Sequence, residues 1–285
     1  SGGCDYCGFA ADREVERRRL SLGEIEWEIA ALARQGFDEV LLLTGERAGG
    51  ADLAYLEDAV RFCRRYVTRV TAETFPMQTE EYARLVGEGL FGITVYQETY
   101  DQELYSRVHR WGPKRDYSFR LDTPERALLA GARGVGLGAL LGLGQADRDL
   151  LHLAAHLEHL RRRYWQAYLS ISFPRLRPEV GGRGAARPVS DRELARFIFA
   201  FRIAFPKIHL VLSTRESVRM RDNLAGVGIS KMSTGSRTTV GGYERQYGDA
   251  RQFELADART REQFCRALAE RGLVGVYKNW DTAFI

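Results

Sequence analysis

The chain has 285 residues, 45% hydrophobic and 28% charged, a globular composition that excludes a disordered or fibrous protein and lies near the upper limit for one core. Basic residues exceed acidic ones by only 42 − 38 = 4 and are spread along the chain, so no nucleic-acid partner is indicated. No run of about 18 apolar residues and no charged-then-apolar leader occurs, so the expectation is a cytoplasmic protein with neither membrane span nor secretory signal.

In chain order, the first segment is the glycine-rich loop Ser1-Gly-Gly-Cys4-Asp-Tyr6-Cys7. Two thiolates on a tight turn suit a soft metal centre or a redox pair. Cys63 and Cys265, the other two cysteines, fall in helical patterns and read as small buried side chains, so neither a disulfide framework nor a zinc ribbon is expected. Beyond this loop, short β-rich runs alternate with amphipathic stretches roughly every 25 to 35 residues, the rhythm of a parallel sheet or barrel. Strands are expected at Glu39–Leu43, Arg69–Thr74, Gly92–Tyr96, Gly134–Gly138, Tyr168–Phe173, Ile208–Leu212 and Gly228–Met232.

Helix starts are also legible. Ser21 with Glu24 and Ser190 with Glu193 fit the capping box, and Thr123 stands as an N-cap before Pro124. Between Asp149 and Tyr164, Leu150, Leu153, Leu157 and Leu160 form one apolar stripe, leaving Arg161, Arg162 and Arg163 on a solvated face. His152, His156 and His159 share that helix and read as packing positions, and Gly181 to Gly184 reads as a loop.

The expectation is an α/β fold: a (β/α)8 TIM-type barrel without its first strand, which should lie upstream, with residues 1–285 forming one barrel domain truncated at its N-terminus. Function in such barrels sits beyond the C-terminal ends of the strands. Candidates there are Thr44, Gly45 and Glu46; Glu98; Gly136, Gly138 and Gly142; Arg175 and Arg177, which either shape the cavity or pair with carboxylates; Arg215; and Ser233, Ser236 and Arg237.

A cysteine immediately before Ser1 would complete CxxxCxxC, with Tyr6 preceding the last cysteine. With Thr44-Gly45-Glu46 after the first run, the segments Tyr96–Tyr100, Phe119–Pro124, Gly136–Gly142, Ser172–Pro178, Leu212–Glu216 and Ser236–Tyr243 follow in order. On these motifs the chain resembles, over essentially its whole length, the aromatic amino acid lyases of the radical S-adenosylmethionine (SAM) superfamily. Within them it is most similar to the tyrosine lyases of thiamine thiazole biosynthesis.

The resemblance implies a [4Fe-4S] cluster held by Cys4 and Cys7, with Tyr6 beside it and SAM on the open iron. It assigns Thr44, Gly45 and Glu46 to the SAM ammonium, Glu98 to a ribose hydroxyl, Arg120 to the SAM carboxylate, and Gly136, Gly138 and Gly142 to close approach of adenine. Arg215 would hold the carboxylate of the amino-acid substrate, helped by Ser233, Ser236 and Arg237. The implied reaction is reductive cleavage of SAM to methionine and a 5′-deoxyadenosyl radical, removal of hydrogen from the amino group of L-tyrosine, and scission of Cα–Cβ to 2-iminoacetate and p-cresol. Thiazole synthase and a ferredoxin or flavodoxin donor are the implied partners.

The alternatives are a relative acting on tryptophan and a cluster-less barrel serving as a scaffold; the retained Glu46, Glu98, Arg120 and Arg215 speak against the scaffold. The hydrogenase-maturation tyrosine lyases carry a second cluster beginning with a CxxC beyond the barrel, whereas Lys278–Phe284 contains no cysteine and so favours the thiazole branch. With two of three cluster cysteines, the 285-residue chain is expected not to keep a stable cluster; about four irons per chain after anaerobic reconstitution would contradict this.

Overall fold

The computed structural model describes residues 2–47, 52–177, 185–245, 247 and 255–277. Ser1, the Gly181–Gly184 loop and the Lys278–Phe284 tail lie outside the described residues. The elements run β1 (Gly3–Cys4), α1 (Leu22–Arg34), β2 (Glu39–Leu43), α2 (Asp52–Arg64), β3 (Arg69–Glu73), α3 (Thr79–Gly87), β4 (Leu90–Glu98), α4 (Gln102–Val108) and β5 (His109–Trp111). They continue with α5 (Tyr117–Leu121), α6 (Thr123–Leu129), β6 (Gly134–Ala139), α7 (Ala146–Arg163), β7 (Tyr168–Ser172), α8 (Asp191–Ala204), β8 (His209–Leu212), α9 (Val218–Leu224), β9 (Lys231–Met232) and α10 (Arg261–Ala269).

Seven strands form one parallel sheet in the order β2-β3-β4-β6-β7-β8-β9, each at a run expected from the sequence. The barrel class is therefore borne out. Two local expectations are corrected. The N-terminal segment is not a bare loop: β1 pairs antiparallel with β5 outside the barrel sheet, placing Cys4 opposite His109. Asp122, not Thr123, takes the N-cap position of the helix before β6, without a side-chain cap, because Thr123 is already helical and donates its hydroxyl to the Phe119 carbonyl. The capping boxes at Ser21/Glu24 and Ser190/Glu193 are both present.

Alternation along the strands separates a helix-covered outer face from a lumen. Val40, Val70, Ala72, Ile93, Val95, Val135, Leu137, Leu169, Ile171, Leu210 and Leu212 pack outward into the main core with the helices. The inward residues are mostly polar. At the floor, Glu39 of β2 pairs with Lys231 of β9 and with Arg69 of β3, so the first and last strands of the sheet meet across the curl. The Arg69 guanidinium lies 4.0 Å from the Phe91 ring centroid and 5.0 Å from that of Tyr168, and Tyr168 stacks on His209 at 4.5 Å. This floor closes the lumen with charge and aromatic surface together.

Above it, β4 and β6 fit as side chain against bare backbone. A Cβ at Gly134 would stand 2.5 Å from Phe91, one at Gly136 2.8 Å from Thr94 Oγ1, and one at Gly138 2.6 Å from the Tyr96 ring. Large β4 residues occupy the room that three β6 glycines leave.

On α7, Leu150, Leu153, Leu157 and Leu160 are buried as the stripe requires, while Arg161 and Arg162 pair with Glu158 on the outside. His152 stacks on Tyr100, and the Tyr100 hydroxyl lies 3.0 Å from His156 Nδ1. Burial pushes His156 down to about 4, with His159 acting in the same direction. The folded state therefore prefers neutral His156: its contribution is complete above the ordinary value near 6.5 and is lost as pH falls through 4. Urea midpoints of wild type and His156→Gln, measured from pH 7 to pH 4, are expected to converge by roughly 1–2 kcal/mol on acidification; parallel curves would contradict this.

Candidate active site

The cysteine loop lies over the C-terminal end of the sheet. Its anchors come from the α4–β5 corner: Asp5 N–H donates to the Val108 carbonyl at 3.0 Å, and Arg110 pairs with Asp5 at 2.6 Å and Asp12 at 2.8 Å. Trp111 covers Gly3 so closely that a Cβ there would stand 2.6 Å from the indole. Cys7 N–H donates to the Cys4 carbonyl at 3.2 Å, closing the turn that carries both thiols. Cys4 and Tyr6 are buried with Leu140, Leu143 and Leu176, and Cys7 packs against the same group.

Tyr6 is fixed from below. His109 Nδ1 donates to the Tyr105 carbonyl at 2.8 Å, so its Nε2 accepts from the Tyr6 hydroxyl at 2.7 Å. Burial holds this imidazole neutral, pushing it down to about 3. Burial likewise raises the Cys4 thiol, with Lys114 pulling the other way. Two thiols in an apolar nest facing a lysine fit two ligand positions of an iron–sulfur cluster. Among the described residues no group of three His, Cys, Asp or Glu is assembled for a metal.

Next to the cysteines stands Glu98, the last residue of β4, beyond a bulge and with φ of 70°. A non-glycine residue held there is strained, and strain of this kind gathers at functional sites. Lys114 Nζ lies 2.6 Å from Glu98 Oε1 and Arg120 Nη2 3.6 Å from the same oxygen. Arg120 Nε donates to the Tyr96 carbonyl at 2.8 Å. Burial alone would raise the Glu98 carboxyl, but Lys114 and Arg120 outweigh it and hold it below the ordinary range.

Thr44 N–H donates to the Glu73 carbonyl at 3.1 Å, carrying the β2–β3 pairing into the Thr44-Gly45-Glu46 turn. Glu46 acts on Arg120, and Cys4, Cys7, Glu98 and Arg120 all act on Tyr6. Cys4, Tyr6, Cys7, Glu46, Glu98 and Arg120 are thus brought into one electrostatic cluster. Gly138 lies beneath the Tyr96 ring, a packing reason for glycine at that position.

The later strands build the opposite side. Arg215 follows β8 on a turn held by its own N–H to Ser213 Oγ at 3.3 Å and by Arg177 Nη2 to its carbonyl at 2.6 Å. Arg175 and Arg177 do not face open cavity: both clamp the buried Glu216, and Arg175 also reaches Asp191 at 2.8 Å. Ser233 continues the β9 pairing through N–H to the Leu212 carbonyl at 3.3 Å, and the hydroxyls of Ser233 and Thr234 are buried with no partner among the described residues. Ser236 and Arg237 sit in the following loop, with Arg237 exposed and its N–H on the Tyr243 hydroxyl at 3.2 Å. Buried Glu28 of α1 pins that loop by accepting from the N–H groups of Tyr243, Glu244 and Arg245.

Sequence reasoning missed Lys114, His109 and Glu73. No spacing pattern marks the first two. Glu73 had a signal, since Arg69, Thr71 and Glu73 alternate along β3 and the last stands at its C-terminal end. Burial pushes the Glu73 carboxyl up to about 7, against the pull of Arg215.

Comparison with known proteins agrees with this arrangement. The radical SAM superfamily model matches residues 1–157, and the biotin and thiamin synthesis associated domain matches residues 172–274. The 2-iminoacetate synthases of Salmonella typhimurium and Escherichia coli are 39% and 40% identical to the chain over 280 residues, 98% of it and 74% of each relative. Among solved structures, HydG, a maturase of the [FeFe]-hydrogenase, superposes with a TM-score of 0.92 at 30% identity; the match covers 98% of this chain and 63% of that one.

Proposed function

Because the chain belongs to the radical SAM superfamily, in its 2-iminoacetate synthase family, we propose that it is a carbon–carbon lyase that cleaves L-tyrosine between Cα and Cβ to 2-iminoacetate and p-cresol, for thiamine thiazole biosynthesis. The observation that carries this reading is the likeness to 2-iminoacetate synthases along 98% of the chain. Its cofactors are a [4Fe-4S] cluster and SAM. The chemistry they supply when bound is one-electron: SAM ends as methionine and 5′-deoxyadenosine while the substrate loses a hydrogen atom.

The residues of this chain bind, orient and exclude water. Cys4 and Cys7 would hold two corners of the cluster, with Tyr6 fixed beside them by His109. Glu98, drawn out of the strand conformation at the end of β4, would accept from a ribose hydroxyl, and Arg120 would pair with the SAM carboxylate. Thr44, Gly45 and Glu46 would meet the SAM ammonium, whereas the room at Gly138 that the adenine was expected to use is taken by the Tyr96 ring. Arg215 would take the carboxylate of tyrosine, a task suited to a planar fork of donors, with Ser233 adding a hydroxyl and Ser236 and Arg237 supplied by the loop beyond β9. Placing the amine beside the reacting carbon is the main catalytic contribution.

The same reading takes residues 1–285 as one barrel domain, supported by the Glu39–Lys231 pair between its first and last sheet strands. It places the enzyme in the cytoplasm, supplied with electrons by a ferredoxin or flavodoxin and handing its product to a thiazole synthase; no helix among the described residues is long and apolar enough to cross a membrane. The test is mass spectrometry of the full gene product, anaerobically reconstituted and given SAM, dithionite and either tyrosine or tryptophan. p-Cresol with 5′-deoxyadenosine from tyrosine is the expected result. 5′-Deoxyadenosine without p-cresol would overturn the substrate, and neither product from a cluster-loaded protein would overturn the enzyme.

A further inference from the structure

Three strand carboxylates stand at the lumen, and two are neutralised by this chain. Glu39 meets Lys231 and Arg69 at the floor, and Glu98 meets Lys114 and Arg120 at the mouth. Glu73 is the exception: among the described residues its carboxylate makes no hydrogen bond and no ion pair. Its place is set by register. Val70 and Ala72 point into the outer core, so Glu73 shares the inner face with Arg69 and Thr71, opposite Leu43 of β2 in the pairing.

The groups acting on Glu73 come from every side of the mouth. Arg215 approaches from beyond β8, Tyr96 and Glu98 from β4, and Lys114 and Arg120 from the segment after β5; the β2 side contributes Leu43. Arg215 acts most strongly among the charges. An anion without a partner and a guanidinium in one lumen complement a zwitterion, whose ammonium and carboxylate are separated by a single carbon. A half-buried carboxylate gains most from a cation that brings its own N–H donors.

We propose that Glu73 receives the ammonium of the amino-acid substrate while Arg215 receives its carboxylate, and that Glu73 then takes one proton from that ammonium. This rests on the lyase reading above. The step balances without a co-reactant: an N–H bond breaks, an O–H bond forms on the Glu73 carboxyl, its electron pair stays on nitrogen, and the substrate is left as a neutral amine. A neutral amine is what hydrogen-atom removal at nitrogen requires, and a carboxyl pushed up to about 7 is far better matched to accept the proton than an ordinary glutamate.

The test uses the reconstituted full-length enzyme with SAM and two ligands, L-tyrosine and 3-(4-hydroxyphenyl)propionate, which lacks only the amine. By calorimetry, Glu73→Gln should weaken L-tyrosine roughly 10- to 100-fold and leave the propionate unchanged or tighter. In turnover, wild-type kcat/KM should rise with pH through about 7 as the carboxyl ionises, and Glu73→Gln should lose that limb along with about 100-fold or more of the rate. Glu73→Asp, which keeps the carboxylate, should retain a limb and part of the affinity, and it stands in should the glutamine variant fail to fold. Equal weakening of both ligands, or an unchanged limb in Glu73→Gln, overturns the role of Glu73 alone. Wild-type enzyme that binds neither ligand overturns the lyase reading instead.

Discussion

Gly92→Ala is expected to cost at least about 3 kcal/mol, the top of the usual range for overpacking, and to leave little folded protein. Gly92 faces Gly134 in the β4–β6 pairing, next to the irregularity where β4 gains a residue against β3. A methyl group there would stand 2.1 Å from the Gly134 carbonyl oxygen, 2.7 Å from its carbon and 2.9 Å from its Cα. All three atoms are backbone of a central strand, so no rotamer change relieves the clash and the strands must part. Gly87 is the control, because nothing lies within 4 Å of an added Cβ at this last residue of α3; Gly87→Ala should be neutral or stabilising by up to about 1 kcal/mol. Urea unfolding decides the matter, and a Gly92→Ala protein within about 1 kcal/mol of wild type would show that β4 and β6 are less tightly joined than described.

The second large effect is expected at Glu216. Its side chain is 2% exposed and accepts from Arg175 through both Nε and Nη2 and from Arg177 at 3.1 Å. Glu216→Ala would strand two guanidinium groups that were desolvated to meet it, a loss of about 3–5 kcal/mol when one partner of a buried ion pair is removed. Glu216→Gln keeps the shape and one acceptor and should cost less. The damage should also reach the site, because Arg177 holds the Arg215 carbonyl and with it the turn that aims the Arg215 side chain. The expected signature is a raised KM for tyrosine in the glutamine variant, with much less change in kcat. A lowered kcat at unchanged KM would place Glu216 outside the support of substrate binding.

Seven strands were legible because parallel barrel strands are short β-rich runs set between long amphipathic helices, and the two periods do not mix. The β1–β5 ribbon was not, since two residues against three carry no period at all. The capping boxes could be read because both partners lie within four residues of each other, whereas the carboxylate shared by Arg175 and Arg177 lies about forty residues away and left those arginines with two open readings. Cys4, Cys7, Glu46, Glu98, Arg120 and Arg215 were identified by motif, and the structure gathers them at one end of the barrel. Glu73 was passed over because a carboxylate inside a strand run looks like a solvent-facing residue until the sheet is known to curl and its inner face to be polar. Lys114 was invisible for another reason, since the geometry that brings it to Glu98 belongs to the turn after β5.

The floor of the barrel also has a consequence for how the chain folds. Glu39 and Lys231 are 192 residues apart, and Glu28 reaches backbone groups 215 to 217 residues further along. Neither contact can form until the intervening strands have been laid side by side, because closing such a loop early forfeits chain entropy that no nearby contact returns. Parallel neighbours assembled through helical crossovers already favour slow folding. Among the described strands, the meeting of β2 and β9 should therefore be a late event, leaving Glu39 and Lys231 unpaired with each other in the ensemble that precedes it. β2 also carries Leu41 and Leu43, 40% and 58% exposed even in the finished fold, and these apolar side chains are where refolding at high protein concentration should go astray first.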